Sequence, residues 1–436
     1  MSILQVEHSL ISQLKPNPRN TRLHSSKQLH QIAASIEEFG FNNPVLVDSD
    51  NMILAGHGRV EAARLAGLDR VPILRIEHLS DAQKRAFSIA DNKIALNAGW
   101  DVEMLKLDMA ELSALDLNFD IEITGFETAE IDVLIDGPTT AAKPDRGDLV
   151  PAAQSCAVSE LGDVWLLGEH RLICGDACNR AVYAELMQDE EARMVFTDPP
   201  YNVPIDGHVG GLGSVKHREF KMASGEMTSA EFQEFLKTTF ANMAEVSING
   251  AIHFICMDWR HMSEMMSAAS GIYSGLKNLC VWNKNNGGMG SFYRSKHELV
   301  FVYKVGADPH VNTVELGKNG RYRTNVWDYA GVNTWRPGRD AELEMHPTVK
   351  PTALVIDAIK DCSRRGDIVL DPFIGSGTTI IAAHKSRRKA RGIELDPIYV
   401  DVAVRRWQAF TGEQATLSGT GDTFAETEEM RGDPMR

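Results

Sequence analysis

The stretch Val195-Phe-Thr-Asp-Pro-Pro-Tyr201 predicts a short buried strand that stops abruptly. Pro199 and Pro200 have no backbone N–H to donate and a fixed φ, so the chain must leave the sheet there. Asp198 and Tyr201 are then held at the carboxyl edge of the strand, where open α/β sheets bind ligands. A carboxylate, a free carbonyl and a planar ring suit gripping the amino group of a base and stacking on its face. A strand followed by a rigid turn is the alternative interpretation.

Asp198-Pro-Pro-Tyr201 resembles the catalytic signature of the DNA amino-methyltransferases, which transfer a methyl group from S-adenosylmethionine to adenine N6 or cytosine N4. The resemblance implies that Asp198, Pro199, Pro200 and Tyr201 are the catalytic residues. It favours adenine, because the family's cytosine N4 members more often carry serine at the position of Asp198. No cysteine follows a proline, as it does in the cytosine C5 methyltransferases with their thiolate nucleophile, which indicates direct attack by an amino group.

A second motif, Asp371-Pro-Phe-Ile-Gly-Ser-Gly-Thr-Thr379, follows a predicted strand and opens a predicted helix. Its glycines let the backbone approach a ligand closely. Glu394, at the end of the next predicted strand, lies roughly 20 residues further on, as dinucleotide-type folds require for ribose hydroxyls. A phosphate-binding loop is only weakly indicated, because the stretch has neither Gly-Lys-Ser nor a third glycine at the expected place.

This second motif resembles the S-adenosylmethionine loop of the amino-methyltransferases, and its position after Asp198-Pro-Pro-Tyr201 resembles the permuted beta-class group over about residues 161–410. The expected fold class is therefore α/β, with a Rossmann-like S-adenosylmethionine-dependent methyltransferase domain. The resemblance assigns cofactor binding to eight residues: Asp176, Lys350, Asp371, Phe373, Gly375, Gly377, Thr378 and Glu394. For Asp176, capping of a helix predicted over residues 180–187 is the alternative.

Three stretches between the two motifs are predicted to act on the target. Residues 202–227 have few apolar side chains and predict a mobile loop that closes over an extruded base. Residues 285–298, which include His297-Glu298, resemble the family's region that lines the target pocket. Target recognition is assigned to residues 305–341, because residues 322–335 within them mix aromatic and basic side chains, which suit stacking and phosphate contact. A buried tryptophan cluster is the alternative there.

The first part of the chain predicts a small α+β unit. A strand and a proline-broken loop are expected over residues 11–20, and a helix should follow a cap at Ser25 or Ser26 and end at Gly40. A hairpin over residues 44–55, a second helix and a strand from Val71 to Ile76 complete the unit.

Two loops of this unit, Asn17-Pro-Arg-Asn20 and Gly56-His-Gly-Arg59, are similar to those of the ParB and sulfiredoxin-like domain family. The resemblance implies that Gly56, His57, Gly58 and Arg59 bind nucleotide phosphates, with CTP or ATP as the ligand. Free backbone N–H groups and the helix dipole favour an anion at such a place. The loop departs from the Gly-Glu-Arg-Arg form of the partition proteins that use CTP. In the alternative, the glycines only make a tight turn and Arg59 faces solvent.

Composition bounds the class of protein. The chain has 436 residues, 43% of them hydrophobic, enough for the cores of two or three domains of a soluble globular protein. Its net charge of −15 argues against nucleic acid, but basic residues cluster over 216–221, 284–296, 321–339 and 385–391. A basic groove on an acidic body is therefore expected, with double-stranded DNA as the partner.

The same survey favours the cytoplasm and no membrane, because no basic stretch precedes an apolar one at the amino end and no apolar run could span a bilayer. No metal is expected, since the cysteines lack paired short spacings. The oligomeric state stays open, with a homodimer as one candidate. An alternative from another functional class is a non-catalytic DNA-binding regulatory protein in which the first domain acts as a nucleotide switch.

The predicted domains follow from these patterns. Ala90-Asp-Asn-Lys-Ile94 resembles a helical extension found after the ParB-like core in proteins fused to methyltransferases. The divisions are a ParB-like domain at 1–78, the extension at 79–136, a linker at 137–159, the methyltransferase domain at 160–412 and a disordered acidic tail at 413–436.

Overall fold

The computed structural model describes residues 5–113, 115, 117, 119–136, 146–154, 156–202, 225–284, 293–314, 323–330 and 349–431. Most of the predicted loop at 202–227 and about half of the predicted recognition stretch at 305–341 lie outside these residues. The chain divides into two compact units, Met1–Gly137 and Pro138–Arg436. Within the described residues no helix is long and apolar enough to cross a bilayer.

The first unit contains one sheet and five α-helices among its described residues. Its elements are β1 (Val6–Leu10), α1 (Ser26–Phe39), β2 (Val45–Val47), β3 (Ile53–Ala55), α2 (His57–Leu65), β4 (Arg70–Arg75), α3 (Asp81–Ala95), α4 (Val102–Leu112) and α5 (Thr128–Asp136). The sheet has the order β1-β4-β2-β3, with β2 antiparallel to β3 as a hairpin and parallel to β4. This confirms the α+β expectation for the first unit, including the predicted hairpin.

The first helix begins and ends where its capping residues predict. The Ser25 side chain accepts a hydrogen bond from the Gln28 N–H at 3.2 Å, and Gly40 ends the helix with a φ of +83°. The strand predicted over 11–20 is wrong, because β1 lies earlier and pairs antiparallel with β4. Ile11 and Leu14 are both buried, but their spacing of three suits the 3₁₀ turn that begins at Ile11.

The second unit is built on one large sheet with helices. Its elements are β5 (Val164–Leu167), β6 (His170–Cys174), α6 (Arg180–Met187), β7 (Ala192–Thr197), α7 (Ser229–Glu245), β8 (Ser247–Met257), α8 (Met262–Ala269), β9 (Gly275–Asn283), β10 (His297–Lys304), β11 (Val326–Asp328), α9 (Thr352–Cys362), β12 (Ile368–Asp371), α10 (Thr378–Lys385), β13 (Lys389–Glu394), α11 (Pro397–Thr411), β14 (Thr416–Leu417) and α12 (Phe424–Arg431). The alternation of strands and helices confirms the predicted α/β class.

Ten strands pair in the order β11-β9-β10-β8-β7-β12-β13-β6-β5-β14. The five strands β8, β7, β12, β13 and β6 run parallel, so their carboxyl ends meet at one edge. Both faces of these strands are covered: in β7, Met194 and Phe196 pack into one buried cluster and Val195 into the other. Because β12 lies directly beside β7, the two sequence motifs end at neighbouring positions on the same edge.

The tail predicted to be disordered is folded over the residues that the structure describes. β14 pairs with β5 through Leu417 and Trp165, and the rings of Phe424 and Trp165 have centroids 5.1 Å apart. Arg431 donates to Asp163 at 3.1 Å. The prediction failed because a few apolar anchors in a polar, acidic stretch are enough to fix it on an existing core.

The predicted linker at 137–159 also needs correction from residue 146 onward. The Gly147 carbonyl accepts a hydrogen bond from Arg406 at 2.7 Å, and the Asp148 side chain accepts one from the Thr352 N–H at 2.9 Å. Further along, Ser159 is buried and its N–H donates to Asp401 at 3.0 Å. A composition without periodicity therefore hid a segment that packs on the second unit.

Candidate active site

A cavity opens at the carboxyl edge of β6, β7, β12 and β13. Its lining includes all four predicted catalytic residues and seven of the eight predicted cofactor residues: Asp176, Asp198, Pro199, Pro200, Tyr201, Lys350, Asp371, Phe373, Gly375, Thr378 and Glu394. Parallel strands that end at one edge bring these distant residues together, as the position of ligand sites in open α/β sheets predicts.

Gly377 is the predicted cofactor residue that does not line the cavity. It has a φ of +82° and begins α10 in the left-handed conformation. A Cβ atom on Gly377 would lie 2.9 Å from the Cβ of Ala403 on α11. Glycine is therefore required here for backbone conformation and for close packing of two helices.

Asp371 lines the cavity, but its oxygens already bond to the protein. Oδ1 accepts from the Thr197 hydroxyl at 2.8 Å, and Oδ2 accepts from the Thr379 hydroxyl at 2.6 Å. Burial raises the pKa of Asp371 to about 6, against the lowering effect of these two hydroxyls. The carboxylate thus fastens the ends of β7 and β12 to the start of α10.

Glu394 holds the glycine loop and still faces the cavity. Its Oε2 accepts from the Gly375 N–H at 3.0 Å, and its Oε1 accepts from the Asp396 N–H at 2.8 Å. A carboxylate has about four acceptor positions, and a third backbone hydrogen bond, from Leu395, also acts on Glu394, so at least one position remains for a ligand. Burial raises the pKa of Glu394 to about 7, although the two N–H groups oppose the shift.

Asp176 lies beyond β6 and lines the same cavity. Its Oδ1 accepts from the Cys178 N–H at 2.8 Å. The cap of α6 is Asn179, whose side chain accepts from the Ala181 N–H at 3.0 Å. The helix-capping alternative for Asp176 is therefore wrong.

Lys350 contacts the residues of the Asp-Pro-Pro-Tyr motif. Its ammonium forms an ion pair with Asp198 Oδ2 and lies 3.0 Å from Glu298 Oε1. Lys350 is only 6% exposed. The side chain was predicted to bind the cofactor, but its hydrogen bonds in the structure go to Asp198 and Glu298.

Glu298 lies in the stretch predicted to line the target pocket, but it is not among the predicted site residues. β10 runs antiparallel to β8 with Leu299 opposite Met257, which brings Glu298 to the same sheet edge as Asp198. Glu298 is 6% exposed, and its Oε2 accepts from Lys284 at 2.8 Å. The Tyr201 hydroxyl contacts both Asp198 Oδ1 and Glu298 Oε1.

Burial and the charges of this cluster raise the pKa of Asp198 and lower the pKa of Glu298. Burial raises the pKa of Asp198, and the ammonium of Lys350 counteracts it only in part. Burial would also raise the pKa of Glu298, but the ammonium groups of Lys350 and Lys284 hold it well below its usual range. For Lys350, the two carboxylates outweigh burial and raise the pKa. Glu298 is thus the more firmly ionised partner of Lys350.

About half of the predicted recognition stretch is described, and Trp327 within it faces inward. Trp327 is 3% exposed, and the Arg323 guanidinium lies 5.1 Å from the centroid of its ring. Arg323 also donates to Asp361 on α9 at 3.1 Å. At Trp327, the buried-tryptophan alternative is the correct one.

Arg406 is a residue of the site that sequence reasoning missed. It is 2% exposed on α11, and its Nη1 donates to the Ser376 carbonyl and to the Thr378 hydroxyl, both at 3.0 Å. Ser376 and Thr378 both line the cavity. A basic residue among the apolar positions Val402, Ala403 and Trp407 was the available signal for it.

The glycine loop of the first unit contacts the Asn17–Asn20 loop. The Asn17 N–H donates to His57 Nε2 at 3.1 Å, and Gly56 begins α2 with a φ of +105° and no side-chain cap. Arg59 is half-buried and donates to the Asn43 carbonyl at 2.8 Å. The alternative in which Arg59 faces solvent is therefore wrong.

Comparison with known proteins agrees with this geometry. A sequence family described as DNA methylase matches residues 192–405. The DNA adenine methyltransferase YhdJ of Escherichia coli (strain K12) is 46% identical over 242 residues, which cover 50% of this chain and 76% of YhdJ. The chain belongs to the N6/N4 DNA methylase family. The methyltransferase acts on DNA and takes its methyl group from S-adenosylmethionine, which confirms both expectations.

The first unit also has a family. The ParB N-terminal domain matches residues 2–93, and a domain described as ParB-methyltransferase HTH matches residues 103–161. The ParB-like nuclease domain-containing protein YnaK of Escherichia coli (strain K12) is 42% identical over 82 residues, 19% of this chain and 94% of YnaK. Among solved structures, the M1.HpyAVI–SAM complex is similar with a TM-score of 0.40 and 22% identity, covering 54% of this chain and 97% of that one.

The residues that line the cavity match the chemical groups of S-adenosylmethionine. The cofactor carries a sulfonium and an ammonium group, and the carboxylates of Asp176, Glu394 and Asp396 face a cavity in which Lys350 is the single ammonium among the lining residues that the structure describes. Apolar walls, including Phe373, can cover the remainder of the molecule. An excess of acid over base suits a cationic ligand.

Proposed function

We propose that the methyltransferase modifies adenine N6 at a specific DNA site, with Asp198, Pro199, Pro200 and Tyr201 as its catalytic residues. The observation that carries the proposal is an aspartate, Asp198, at the end of β7 in the same cavity as the glycine loop. The identity of 46% with an adenine methyltransferase supports adenine over cytosine N4.

The chemistry requires the amino nitrogen to become a nucleophile. The lone pair of adenine N6 is delocalised into the ring, and hydrogen bonds to Asp198 and to the Pro199 carbonyl would hold the amino group turned toward the methyl donor. The bound cofactor would supply the methyl group: its carbon–sulfur bond would break with the electrons on sulfur as the nitrogen–carbon bond forms, and the proton lost by the nitrogen would pass to water. No covalent bond to the protein is needed.

The remaining residues would bind and orient the target base and the cofactor. Tyr201 would stack on the flipped base and replace helix stacking worth a few kcal/mol. Glu394 would accept the ribose hydroxyls of the cofactor, Asp176 its adenine amino group, and Phe373 would cover its face. Asp371 and Gly377 act through the shape of the loop. Proximity of the two reactants then supplies much of the acceleration.

The test is expression in a host that lacks adenine methylation, followed by single-molecule sequencing of the DNA. Modified adenine at a fixed motif, lost in Asp198→Ala, is the expected result. The variant should bind S-adenosylmethionine nearly as well as the wild type. Modified cytosine would overturn the choice of base, and near-normal methylation by Asp198→Ala would overturn the catalytic assignment.

For the first unit we propose a nucleotide site at Gly56, His57, Gly58 and Arg59, with CTP or ATP as ligand. The support is the uncapped start of α2 beside the Asn17–Asn20 loop, which leaves backbone N–H groups for a phosphate. Isothermal titration of the full chain with each nucleotide tests it. Absence of heat with both would remove the proposal without touching the methyltransferase assignment.

A further inference from the structure

Both oxygens of Asp198 are in use before a base is present. Oδ1 accepts a hydrogen bond from the Tyr201 hydroxyl at 2.5 Å, and Oδ2 forms the ion pair with Lys350. Each oxygen keeps a second lone pair, so an amino group that binds Asp198 either shares an oxygen with one of these donors or displaces that donor. The displaced donor then needs another acceptor within reach.

Glu298 is that acceptor for both donors. Its Oε1 lies 3.0 Å from the Lys350 ammonium and also contacts the Tyr201 hydroxyl. Glu298 does not line the cavity, whereas Asp198, Tyr201 and Lys350 do. Among the described residues, the carboxylate thus contacts Tyr201 and Lys350 from outside the cavity lining.

Burial makes this second acceptor necessary. Lys350 is 6% exposed, so water cannot replace Asp198 as its partner without a rearrangement. A buried ammonium without an anion is strongly unfavourable, and a buried phenol without an acceptor also loses free energy. Lys284 binds the other oxygen of Glu298 from outside and keeps that carboxylate ionised and in place.

We propose that Glu298 is a positioning residue that retains the Lys350 ammonium and the Tyr201 hydroxyl when Asp198 binds the amino group of the target base. The inference rests on the proposed role of Asp198. The exchange moves hydrogen bonds from one carboxylate to another and needs no proton transfer. Asp198 becomes available at little cost because its donors never lose a charged partner.

The pH dependence of the reaction distinguishes this role from a merely structural one. Among the described residues, Asp198 faces the Lys350 ammonium, the carboxylates of Glu298 and Asp371, the Tyr201 phenol and the Cys256 thiol. The negative charge of Glu298 raises the pKa of Asp198. Removing that charge lowers the pKa, so the acid limb of the rate should move to lower pH even as the rate falls.

The experiment measures single-turnover methylation of DNA by the full chain against pH, together with binding of S-adenosylmethionine. In Glu298→Gln we expect a rate about 10- to 100-fold lower at neutral pH, the size expected when one buried charged contact is lost. Cofactor affinity should stay within about 2-fold, a change of under 1 kcal/mol. The acid limb should move to lower pH.

Asp258→Asn is the matched control. Asp258 is a carboxylate at the end of β8 whose side chain accepts from the Arg260 and His261 N–H groups, a capping role that asparagine keeps. We expect a wild-type rate and an unshifted acid limb. A shift as large as that of Glu298→Gln would overturn the inference.

Glu298→Asp keeps the charge but shortens the side chain by one methylene, and it serves if Glu298→Gln does not fold. Its acid limb should match the wild type while its rate falls several-fold, because the carboxylate no longer reaches Lys350. Wild-type rates in either variant, with Asp198→Ala inactive, would overturn the role of Glu298 alone. An active Asp198→Ala would instead overturn the proposed function.

Discussion

The two glycine-led loops of the chain have the same local geometry and opposite electrostatics. Gly56 begins α2 and Gly377 begins α10, each in the left-handed conformation and each without a side-chain cap. Around Gly377, the cavity is lined by Glu394, Asp371 and other carboxylates. Around Gly56, the neighbours are the Arg59 guanidinium and the imidazole of His57.

The difference shows that a glycine turn before a helix does not identify a ligand. Free N–H groups favour an anion in both places, but the carboxylates that line the cavity at the second loop favour a cation. Packing differs as well. A Cβ on Gly377 would meet Ala403, which is held in a helix, whereas a Cβ on Gly56 would meet the Arg59 guanidinium, which can shift if it gives up its hydrogen bond to the Asn43 carbonyl.

The largest effect should come from Gly377→Ala. A left-handed conformation costs a non-glycine residue about 1–2 kcal/mol, and an overpacked contact with Ala403 adds about 1–3 kcal/mol. We expect a clear fall in the melting temperature and a loss of cofactor affinity on the order of 100-fold or more, which calorimetry and equilibrium binding would measure.

Gly56→Ala is the control for that comparison. Its φ of +105° predicts a similar conformational cost, but Arg59 can move aside. Its affinity for S-adenosylmethionine should stay at the wild-type value. If both alanine variants weakened cofactor binding equally, loop geometry alone would not explain the effect.

Arg406→Gln should have a smaller effect on the same loop. The buried guanidinium holds Ser376 and Thr378 in place, and hydrogen bonds to a charged group contribute about 1.5–3 kcal/mol each. We expect cofactor affinity to fall roughly 10-fold with little change in the KM for DNA. Arg405→Gln, on the same helix and bonded to Glu428, should lose some stability only. If Arg406→Gln bound S-adenosylmethionine as tightly as Arg405→Gln does, a positioning role for Arg406 would be contradicted.

Sequence reasoning succeeded where local patterns carry the information. Apolar runs that end in Asp198 and Asp371 predict β7 and β12, and the structure shows that these two strands pair as neighbours in an α/β sheet. A ligand site at their carboxyl ends needs only that topology. The same reasoning predicted the hairpin of β2 and β3, which is antiparallel as expected.

It failed where a role depends on contacts between distant residues. Tyr201 and Glu298 are 97 positions apart and meet only because β10 runs antiparallel to β8. Arg406 looks like any basic residue until α11 packs against the loop. Composition misled at the tail, since Phe424 alone inserts an aromatic ring against Trp165 and fixes a stretch that is otherwise polar.

The smallest effect, and a test of the electrostatic half of the comparison, is the pH dependence of cofactor binding. Glu394 has a pKa raised to about 7 by burial, so its ionised fraction grows between pH 6 and 8. The ionised form attracts a cationic ligand and accepts hydroxyl hydrogen bonds. Affinity for S-adenosylmethionine should therefore rise by up to about 10-fold over this range.

Stability without cofactor should change in the opposite direction. The pKa of Glu394 is higher in the folded state than the ordinary 4.5, so its stabilising contribution is full below that value and is lost as pH rises through about 7. The loss is on the order of 1–3 kcal/mol. In Glu394→Gln, cofactor affinity and stability should both change less with pH. The remaining pH dependence would come from Asp371, whose pKa is about 6. Titration calorimetry and melting curves at pH 6, 7 and 8 measure the two slopes. An undiminished affinity slope in the variant would mean that the acids of this cavity do not set its preference for a cation.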